Sequence, residues 1–316
     1  MKNRLPSSVF RLPASGFRPL VSVLCLLSSV LWFPAHAGRV AFPGYDWQVM
    51  DWNNRSSTNS GGNDPRIRIL PSTRLAATEF MRAVRNASLY PGKILRLNFF
   101  AGSGFLSDSA TNLGAISTPI IIDAGSHDDG TAQAAATFSY TEQGSAGGLS
   151  GNAAAALQTG FIASTSIASA TNVHFAIYVT VPGSAAATWS MGAQDATPND
   201  YGLIGPDFTA VGTRGDTWQP GTAFSDSGGK GFYHVQKEGV NNVTYKNGVS
   251  KASNAPGGIQ TTVEMYVLAL NLNGARSSSS GKTFGGYSIG LSIPTAQVVP
   301  YYNAWQRFET MLGRQQ

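Results

Sequence analysis

The sequence predicts a mainly β protein, in which two antiparallel sheets form a sandwich, a short helical hairpin precedes them and a C-terminal helix closes the fold. Many short apolar runs of period two alternate with Gly, Asn and Pro turn signals, which is typical of a sandwich. The last segment has helical periodicity instead. Hydrophobic residues, at 42% of 316, are sufficient for a core, and 36 glycines supply the turns.

Residues 1–37 are predicted to be a secretory signal peptide. Four basic residues precede an apolar run over residues 20–33, and Ala35-His36-Ala37 forms a small-x-small cleavage signal. The alternative is a transmembrane anchor, which the run disfavours because it is shorter than the roughly 20 residues that a span needs. We therefore expect an exported protein at a periplasmic, cell-surface or extracellular location, with no membrane span in the mature chain.

Removal of this segment changes the charge of the chain. It takes away Lys2, Arg4, Arg11 and Arg18 and no acidic residue, so the net charge falls from +5 to +1. Nucleic acid is not an expected partner, because binding it needs a concentrated basic footprint. The only cysteine, Cys25, is also removed, so the mature chain is expected to have no disulfide and no thiolate metal site.

Residues 38–92 are predicted to form a helical lead segment of two short helices. The first spans residues 45–58 and places Tyr45, Val49, Trp52 and Ser56 on one face. The second begins near Pro71, with Ser72 or Thr73 as its N-cap, and ends at Pro91-Gly92. The apolar stripe of this second helix is expected to comprise Leu75, Phe80, Val84 and Ala87.

Residues 93–316 are predicted to form the sandwich domain. Alternation is clearest over residues 173–181, and Asn247-Gly248 is a strong hairpin signal because both central residues of a type I′ turn need positive φ. A glycine-rich turn is expected over residues 144–151. Other strands are predicted at 94–100, 119–123, 138–142, 157–162, 188–191, 201–204, 207–212, 232–238, 243–250, 263–271 and 284–292.

The closing helix is predicted over residues 294–312. Its apolar residues recur at helical spacing, and Gly313 is expected at its C-terminal cap. Pro300 predicts either a kink or a later start of the helix. The expected buried face consists of Val298, Tyr302, Trp305, Phe308 and Leu312.

Three segments resemble the concanavalin A-like (LamG-like) lectin/glucanase jelly-roll family of bacterial and phage proteins. The first contains Trp52-x-x-Arg55 with Asn59-x-Gly61 and leads to residues 93–98. The second is Gly147-Gly-Leu-Ser-Gly-Asn152 with Leu157-x-Thr-Gly160. The third runs from Tyr245-x-Asn-Gly248 through residues 268–274 and 288–290 to the helix at 302–314. The resemblance spans the mature chain, is looser over residues 185–230, and implies a jelly roll and carbohydrate binding.

No catalytic residue is predicted. Glucanases of this fold carry Glu-x-Asp-x-x-Glu on one strand, because glycoside cleavage needs two carboxyl groups a few ångström apart. This pattern is absent, and Glu142, Glu238, Glu264 and Glu309 are each isolated in the sequence. We therefore expect no enzymatic activity; the alternative is a glycoside hydrolase or lyase whose carboxyl groups come from separate strands.

No metal site is predicted either. Asp123, His127 and Asp129 lie in a polar segment whose oxygen ligands would suit Ca²⁺, but their spacing matches no defined calcium loop, so a solvated loop is the first expectation and Ca²⁺ the alternative. His174 and His234 lie within strands on the side opposite the expected core. A surface position is therefore expected for both imidazoles.

Sugar binding needs exposed aromatic platforms flanked by amide and carboxylate groups. The expected carbohydrate-binding residues are Trp218, Trp189, Tyr201, Tyr233 and Asp216. Trp218 leads this group because residues 215–220 are predicted to form a loop. The alternative position for these aromatic side chains is the core or edge of the sandwich.

The predicted function is thus an exported, non-catalytic carbohydrate-binding or surface-recognition protein whose partner is a polysaccharide or cell-surface glycan. A structural or adhesive envelope or virion-derived protein without glycan specificity remains the alternative.

Overall fold

The computed structural model describes residues 46–59, 69–102, 120, 131–132, 138–152, 154–183, 189–195, 201–208, 212–216, 222–224, 229–255, 260–277 and 280–315. Only the backbone is described at 56–59, 131–132, 201–208, 212–216, 222–224 and 238. The helices are α1 (Trp47–Asn59), α2 (Pro71–Asn86), α3 (Ala163–Ser166) and α4 (Thr295–Met311).

Eight strands form the first sheet, called sheet A. Its order is β13-β12-β11-β6-β17-β4-β3, with β1 also paired to β17. All its pairs are antiparallel. The strands are β1 (Ile94–Asn98), β3 (Phe138–Thr141), β4 (Gly148–Gly151), β6 (Asn172–Val181), β11 (Gly231–Glu238), β12 (Asn241–Lys246), β13 (Val249–Asn254) and β17 (Thr283–Gly290).

Nine strands form the second sheet, called sheet B. Its order is β10-β9-β8-β7-β14-β5-β2, with β15 paired to both β16 and β7. The β15–β7 pair is parallel. The strands are β2 (Thr131–Ala132), β5 (Leu157–Ile162), β7 (Met191–Gln194), β8 (Tyr201–Phe208), β9 (Gly212–Asp216), β10 (Thr222–Phe224), β14 (Glu264–Val267), β15 (Leu270–Leu272) and β16 (Ala275–Ser277).

One hydrophobic core lies between the two sheets. Sheet A contributes alternate residues of β6 and β11, and sheet B contributes alternate residues of β5, β7 and β14. The predicted sandwich is therefore confirmed, together with the early helices and the C-terminal helix. The residues of this sandwich core include Phe161, Phe175, Ile177, Met191, Val235, Met265, Val267 and Ile289.

A second core covers the opposite face of sheet A. There α1, α2 and α4 pack on residues that point away from the sandwich, such as Tyr178 of β6 and Phe232 of β11. Aromatic rings fill this helical core: Phe80 lies edge-on to Trp305, with ring centroids 5.2 Å apart, and Phe99 stacks on Phe308 at 4.1 Å. Sheet A is consequently covered on both faces.

The helices differ from their predictions in detail. Ser72 and Thr73 were expected as N-caps of the second helix, but Leu70 is at that position and Pro71 opens α2. Proline suits the first helical position because its missing N–H would have no partner there. Leu75, expected to be buried, is 46% exposed. In α4 the helix begins at Thr295, so the predicted later start after Pro300 is wrong.

Some of the predictions for turns are confirmed and one is partly wrong. Asn247 and Gly248 both have positive φ between β12 and β13, and Gly313 has φ +67° just after α4, as expected. The glycine-rich turn over residues 144–151 is partly wrong, because its second half is β4. Gly148 has φ +129°, and a Cβ there would lie 2.3 Å from the carbonyl oxygen of Phe284. Glycine therefore permits this close strand approach.

The predicted signal peptide and the expected strand at residues 119–123 lie outside the described residues, apart from Ile120. In the described part of the chain, every helix is too short or too polar to cross a bilayer.

Candidate functional site

The outer face of sheet B is the candidate functional site. On β14, Met265 and Val267 point into the sandwich core, so the alternation of the strand places Glu264 and Tyr266 on the opposite face. Helices of the second core cover the corresponding face of sheet A. In the described part of the chain the helical core packs on sheet A only, and on the outer face of sheet B Tyr266 and Leu270 are each 4% exposed.

A tyrosine–glutamine pair lies near the centre of this face. Tyr266 is directly opposite Gln158 of β5, and the Gln158 amide donates to its hydroxyl at 3.3 Å. The ring of Tyr266 packs against Ala156 and Ala269 and is 4% exposed. Gln158 is half-buried, so its amide is the more accessible member of the pair.

Glu264 is positioned by an irregularity in β5. The register shifts between Glu264 and Tyr266, and Gly160 in the opposing strand has φ +67°. Only a residue that tolerates the left-handed region fits there. The Gly160 N–H donates to the Glu264 carboxylate, while the Thr159 hydroxyl donates to the carbonyl oxygen of Met265 at 2.7 Å.

The register of sheet B brings two predicted site residues to neighbouring strands. Gly192 of β7 pairs with Tyr266 of β14 on one side and with Leu203 of β8 on the other. Leu203 also pairs with Asp216 of β9. Tyr201 pairs with Gln194 at the other end of β7. Tyr201 and Asp216 are therefore on adjacent strands of the sheet that carries the Tyr266–Gln158 pair.

The other predicted aromatic residues are located differently. Trp189 comes just before β7 and packs, partly buried, against Leu270. Tyr233 lies on sheet A instead, 3% exposed in the sandwich core, with the Lys246 ammonium 5.3 Å from its ring centroid. This burial does not fit an exposed platform, because the alternation of β11 turns Tyr233 inward. Trp218 lies outside the described residues.

Asp195 anchors the end of β7 to the segment that enters β14. Its carboxylate accepts hydrogen bonds from the backbone N–H groups of Thr262, at 2.8 Å, and Val263, at 3.2 Å. The Thr262 hydroxyl donates to it at 3.2 Å. Asp195 is 8% exposed, so it positions the chain at the rim of the site and is not free to bind a sugar.

Two of the glutamates predicted to be isolated lie around one arginine. Arg314 is fully buried, and its guanidinium is 3.8 Å from the Glu309 carboxylate while its Nε donates to the carbonyl oxygen of Glu142 at 2.7 Å. Burial raises the pKa of Glu142, and it raises the pKa of Glu309 to about 7. Glu309 is a residue of α4 whose side chain has no exposed surface and packs against Gly285 of β17, so this pair does not line a substrate cleft.

The two strand histidines are buried, and the expectation that they lie at the surface is wrong. His174 and His234 are 0% and 1% exposed because α4 covers their face of sheet A. Burial lowers the pKa of His174 to about 4, and it lowers the pKa of His234 well below its usual range. Both imidazoles are neutral at pH 7 and belong to the packing of the helical core.

Within the described residues, no three His, Cys, Asp or Glu side chains converge in a way that could hold a metal ion. Asp123, His127 and Asp129 lie outside those residues, so the Ca²⁺ alternative stays a prediction.

Sequence reasoning missed Gln158, Gln194 and Tyr266 on this face, and it considered Glu264 only as an isolated glutamate. A signal was present in β14, where polar Glu264 and Tyr266 alternate with apolar Met265 and Val267. The position of Gln158 opposite Tyr266 depends on strand pairing across more than 100 residues, which no local pattern contains.

Comparisons with known proteins give distant partial matches. No protein-family model matches the chain, and no curated protein matches it. Domain 4 of AbnA, a GH43 extracellular arabinanase from Geobacillus stearothermophilus solved with arabinotriose, is 15% identical, with a TM-score of 0.37 over 59% of this chain and 85% of that domain.

Two sialidase structures are similarly distant. A Trypanosoma rangeli sialidase mutant is 8% identical, with a TM-score of 0.47 over 74% of this chain and 39% of that one. The CBM40 module of a Ruminococcus gnavus IT-sialidase, bound to α2,3-sialyllactose, is 8% identical, with a TM-score of 0.34 over 41% of this chain and 81% of that module. The chain is similar to these proteins over part of its length, and no family assignment follows from them.

Proposed function

We propose that the protein binds carbohydrate through the outer face of sheet B and does not cleave it. The observation that carries this proposal is the polar character of the outer face of sheet B, where Gln158 of β5, Gln194 of β7 and Glu264 of β14 are each half-buried. Amide and carboxylate groups suit sugar hydroxyls. Tyr266, at 4% exposed, only positions the Gln158 amide, so the aromatic platform for sugar C–H faces is proposed at Tyr201 and Trp189 instead.

The positions of Tyr201, Asp216 and Trp189 support the same face. Tyr201 and Asp216 lie on β8 and β9, beside the strand that Trp189 precedes. Trp218 follows β9 two residues after Asp216. Tyr201, Asp216 and Trp189 extend the proposed site from the Tyr266–Gln158 pair toward the β9 end of the sheet.

The proposal that the protein is non-catalytic is supported by the partners of the described carboxylates. Asp195 accepts three hydrogen bonds from Thr262 and Val263, and Glu264 accepts one from Gly160. Glu309, on α4, is fully buried. Glycoside cleavage needs two carboxyl groups that can face one sugar, and of these three carboxylates only Glu264 is half-buried on the proposed face.

We further propose that the partner is a polysaccharide or cell-surface glycan and that the protein acts outside the inner membrane. This location is supported by the basic, apolar and small-x-small pattern of residues 1–37.

A glycan array on the purified protein, with and without Ca²⁺, tests the proposal. Arabinan and sialylated oligosaccharides belong on the array beside neutral polysaccharides. We expect specific binding that is weakened at least tenfold by Gln158→Ala and by Trp218→Ala. Ser139→Ala, an exposed polar residue on β3 of sheet A, is the matched control and should bind like the wild type.

Failure to bind any glycan in either condition would contradict the proposal and favour the structural or adhesive alternative. Release of shortened products from a bound glycan would overturn the non-catalytic part. Binding that requires Ca²⁺ would place a cation at or near the site and direct attention to Asp123, His127 and Asp129.

A further inference from the structure

The C-terminal end of the described chain is inserted into the edge of sheet A. Glu309 and Arg314 are both fully buried, although each carries an ionisable group. Two glycines make room for them: a Cβ on Gly285 would lie 2.2 Å from the Glu309 Oε1, and one on Gly147 would lie 2.9 Å from the Arg314 Nε. The space for both side chains is therefore built into β17 and the turn before β4.

Arg314 connects the C-terminal end of the described chain to two other segments through hydrogen bonds. Its Nε donates to the carbonyl oxygen of Glu142 at 2.7 Å, and its Nη2 donates to the carbonyl oxygen of Phe100 at 3.2 Å. The Gly144 N–H donates to the carbonyl oxygen of Leu312 at 3.3 Å. The segment that ends α4 thus closes over the turn after β3 and the residues that follow β1.

Glu309 contributes a buried carboxyl group with few partners. Among the described residues, neither of its carboxylate oxygens accepts a hydrogen bond, and its nearest cation, Arg314, is 3.8 Å away. The other ionisable groups that face it are Glu142, from the turn after β3, and Tyr178, from β6. A buried carboxylate with so few partners is costly in its ionised form.

We propose that residues 309–315 form a proton-controlled latch, which is closed over the edge of sheet A when Glu309 is protonated and opens when Glu309 is ionised. Opening would unwind the last turn of α4, bring Arg314 into solvent and free the carbonyl groups of Phe100 and Glu142.

The direction of the pH effect follows from burial. Burial is the largest influence on Glu309; Glu142 acts in the same direction and Arg314 against it, and together they raise the pKa of Glu309 from 4.5 to about 7. A carboxyl group whose pKa is higher in the closed state binds its proton more tightly there. The closed state is therefore favoured most below pH 4.5 and loses stability as pH rises toward 7.

Trypsin cleavage after Arg314 reports the opening directly. The protease needs an exposed arginine, and Arg314 is buried when the latch is closed. Loss of Gln315 and Gln316 from the full chain is followed by intact-mass spectrometry between pH 6 and pH 8. Each rate is divided by that of a synthetic peptide of residues 309–316 at the same pH, which removes the pH dependence of trypsin itself.

We expect the normalised rate to rise about tenfold from pH 6 to pH 8 and to level off above pH 7.5. Glu309→Gln, which keeps the shape of the side chain and cannot ionise, should change less than twofold over the same range. Arg314→Lys, which loses the fork of hydrogen bonds but keeps a trypsin site, should be cleaved faster at every pH.

A flat wild-type profile would overturn the proposal, even if Glu309→Gln fails to fold. A tenfold rise that persists in Glu309→Gln would overturn it as well, because another group would then control the opening. Slow cleavage of Arg314→Lys at pH 6 would show that the buried contacts of Arg314 do not hold the latch closed.

Discussion

His174 donates a hydrogen bond from Nδ1 to the carbonyl oxygen of Leu291, at 2.7 Å, and this contact fixes the tautomer of the ring. Because Nδ1 carries the hydrogen in the neutral ring, Nε2 must accept, and the Ser288 hydroxyl donates to it at 3.2 Å. The Tyr301 hydroxyl then donates to Ser288. A chain of three side chains thus runs from α4 through β17 to β6.

Acid is predicted to destabilise the protein through His174. Its pKa is lowered by burial to about 4 from 6.5, so the folded state resists protonation. The stability that depends on the neutral ring is fully present above pH 6.5 and is lost as pH falls toward 4, by up to about 3 kcal/mol.

Urea denaturation at pH 7 and pH 4.5 measures this loss in the wild type and in His174→Asn. Asparagine can keep a donor near the position of Nδ1 but does not titrate, so the variant should lose less stability between the two pH values. An equal loss in both proteins would show that His174 is not responsible. Glu309 is present in both proteins, so its contribution cancels; His234, whose ring centroid is 5.4 Å from that of His174, is compared separately through His234→Asn, since His174 also lowers its pKa.

Gly290→Ala is predicted to destabilise the protein by about 1–3 kcal/mol, because overpacking a dense interior forces side chains and backbone to shift. A Cβ at this position would lie 2.0 Å from the carbonyl oxygen of Lys93 and 2.9 Å from the His174 ring. Gly281→Ala is the matched control, since nothing lies within 4 Å of its Cβ. Thermal unfolding that lowered the midpoint equally for both variants would contradict the prediction.

Asp195→Ala is predicted to cost about 2–3 kcal/mol of stability. The carboxylate accepts from two backbone N–H groups, of Thr262 and Val263, and hydrogen bonds to a charged group contribute more than neutral ones. Asp195→Asn keeps one acceptor oxygen and should cost less. Chemical denaturation of both variants measures the difference, and equal losses would mean that the charge contributes nothing.

Ser88→Gly is predicted to stabilise the protein by about 0.5 kcal/mol. Ser88 follows α2 with φ +55°, a left-handed conformation that is unfavourable for residues with a Cβ. Glycine removes that cost but loses more entropy on folding, so the net gain is small. Ser72→Gly, in the first turn of the same helix, should have the opposite sign. Calorimetry that found both changes destabilising would refute the role of φ.

The sequence predicts the elements whose pattern is local. Asn247-Gly248 specifies a hairpin through its own backbone preferences, and the alternation over residues 173–181 identifies which residues of β6 face the sandwich core. The same alternation cannot reveal that His174 is buried. Its burial depends on α4, which begins more than 100 residues later in the chain.

The candidate site is predictable only in part for the same reason. Composition suggested Tyr201 and Asp216, and the register of sheet B places both on neighbouring strands. Tyr233 also lies in a predicted strand, but that strand pairs with β6 in sheet A and turns the ring into the core. Aromatic residues between short strands therefore cannot be assigned to a face until the pairing of the strands is known.

The helical core joins distant parts of the chain, and this has a consequence for the order of folding. Phe80 and Phe99 pack against Trp305 and Phe308, so neither group can be shielded from water before the other has been synthesised. Contacts of such large sequence separation form slowly, because a long loop must close first. During synthesis the apolar surfaces of the early helices and of β1 therefore stay exposed to water until α4 has been made and completes the layer.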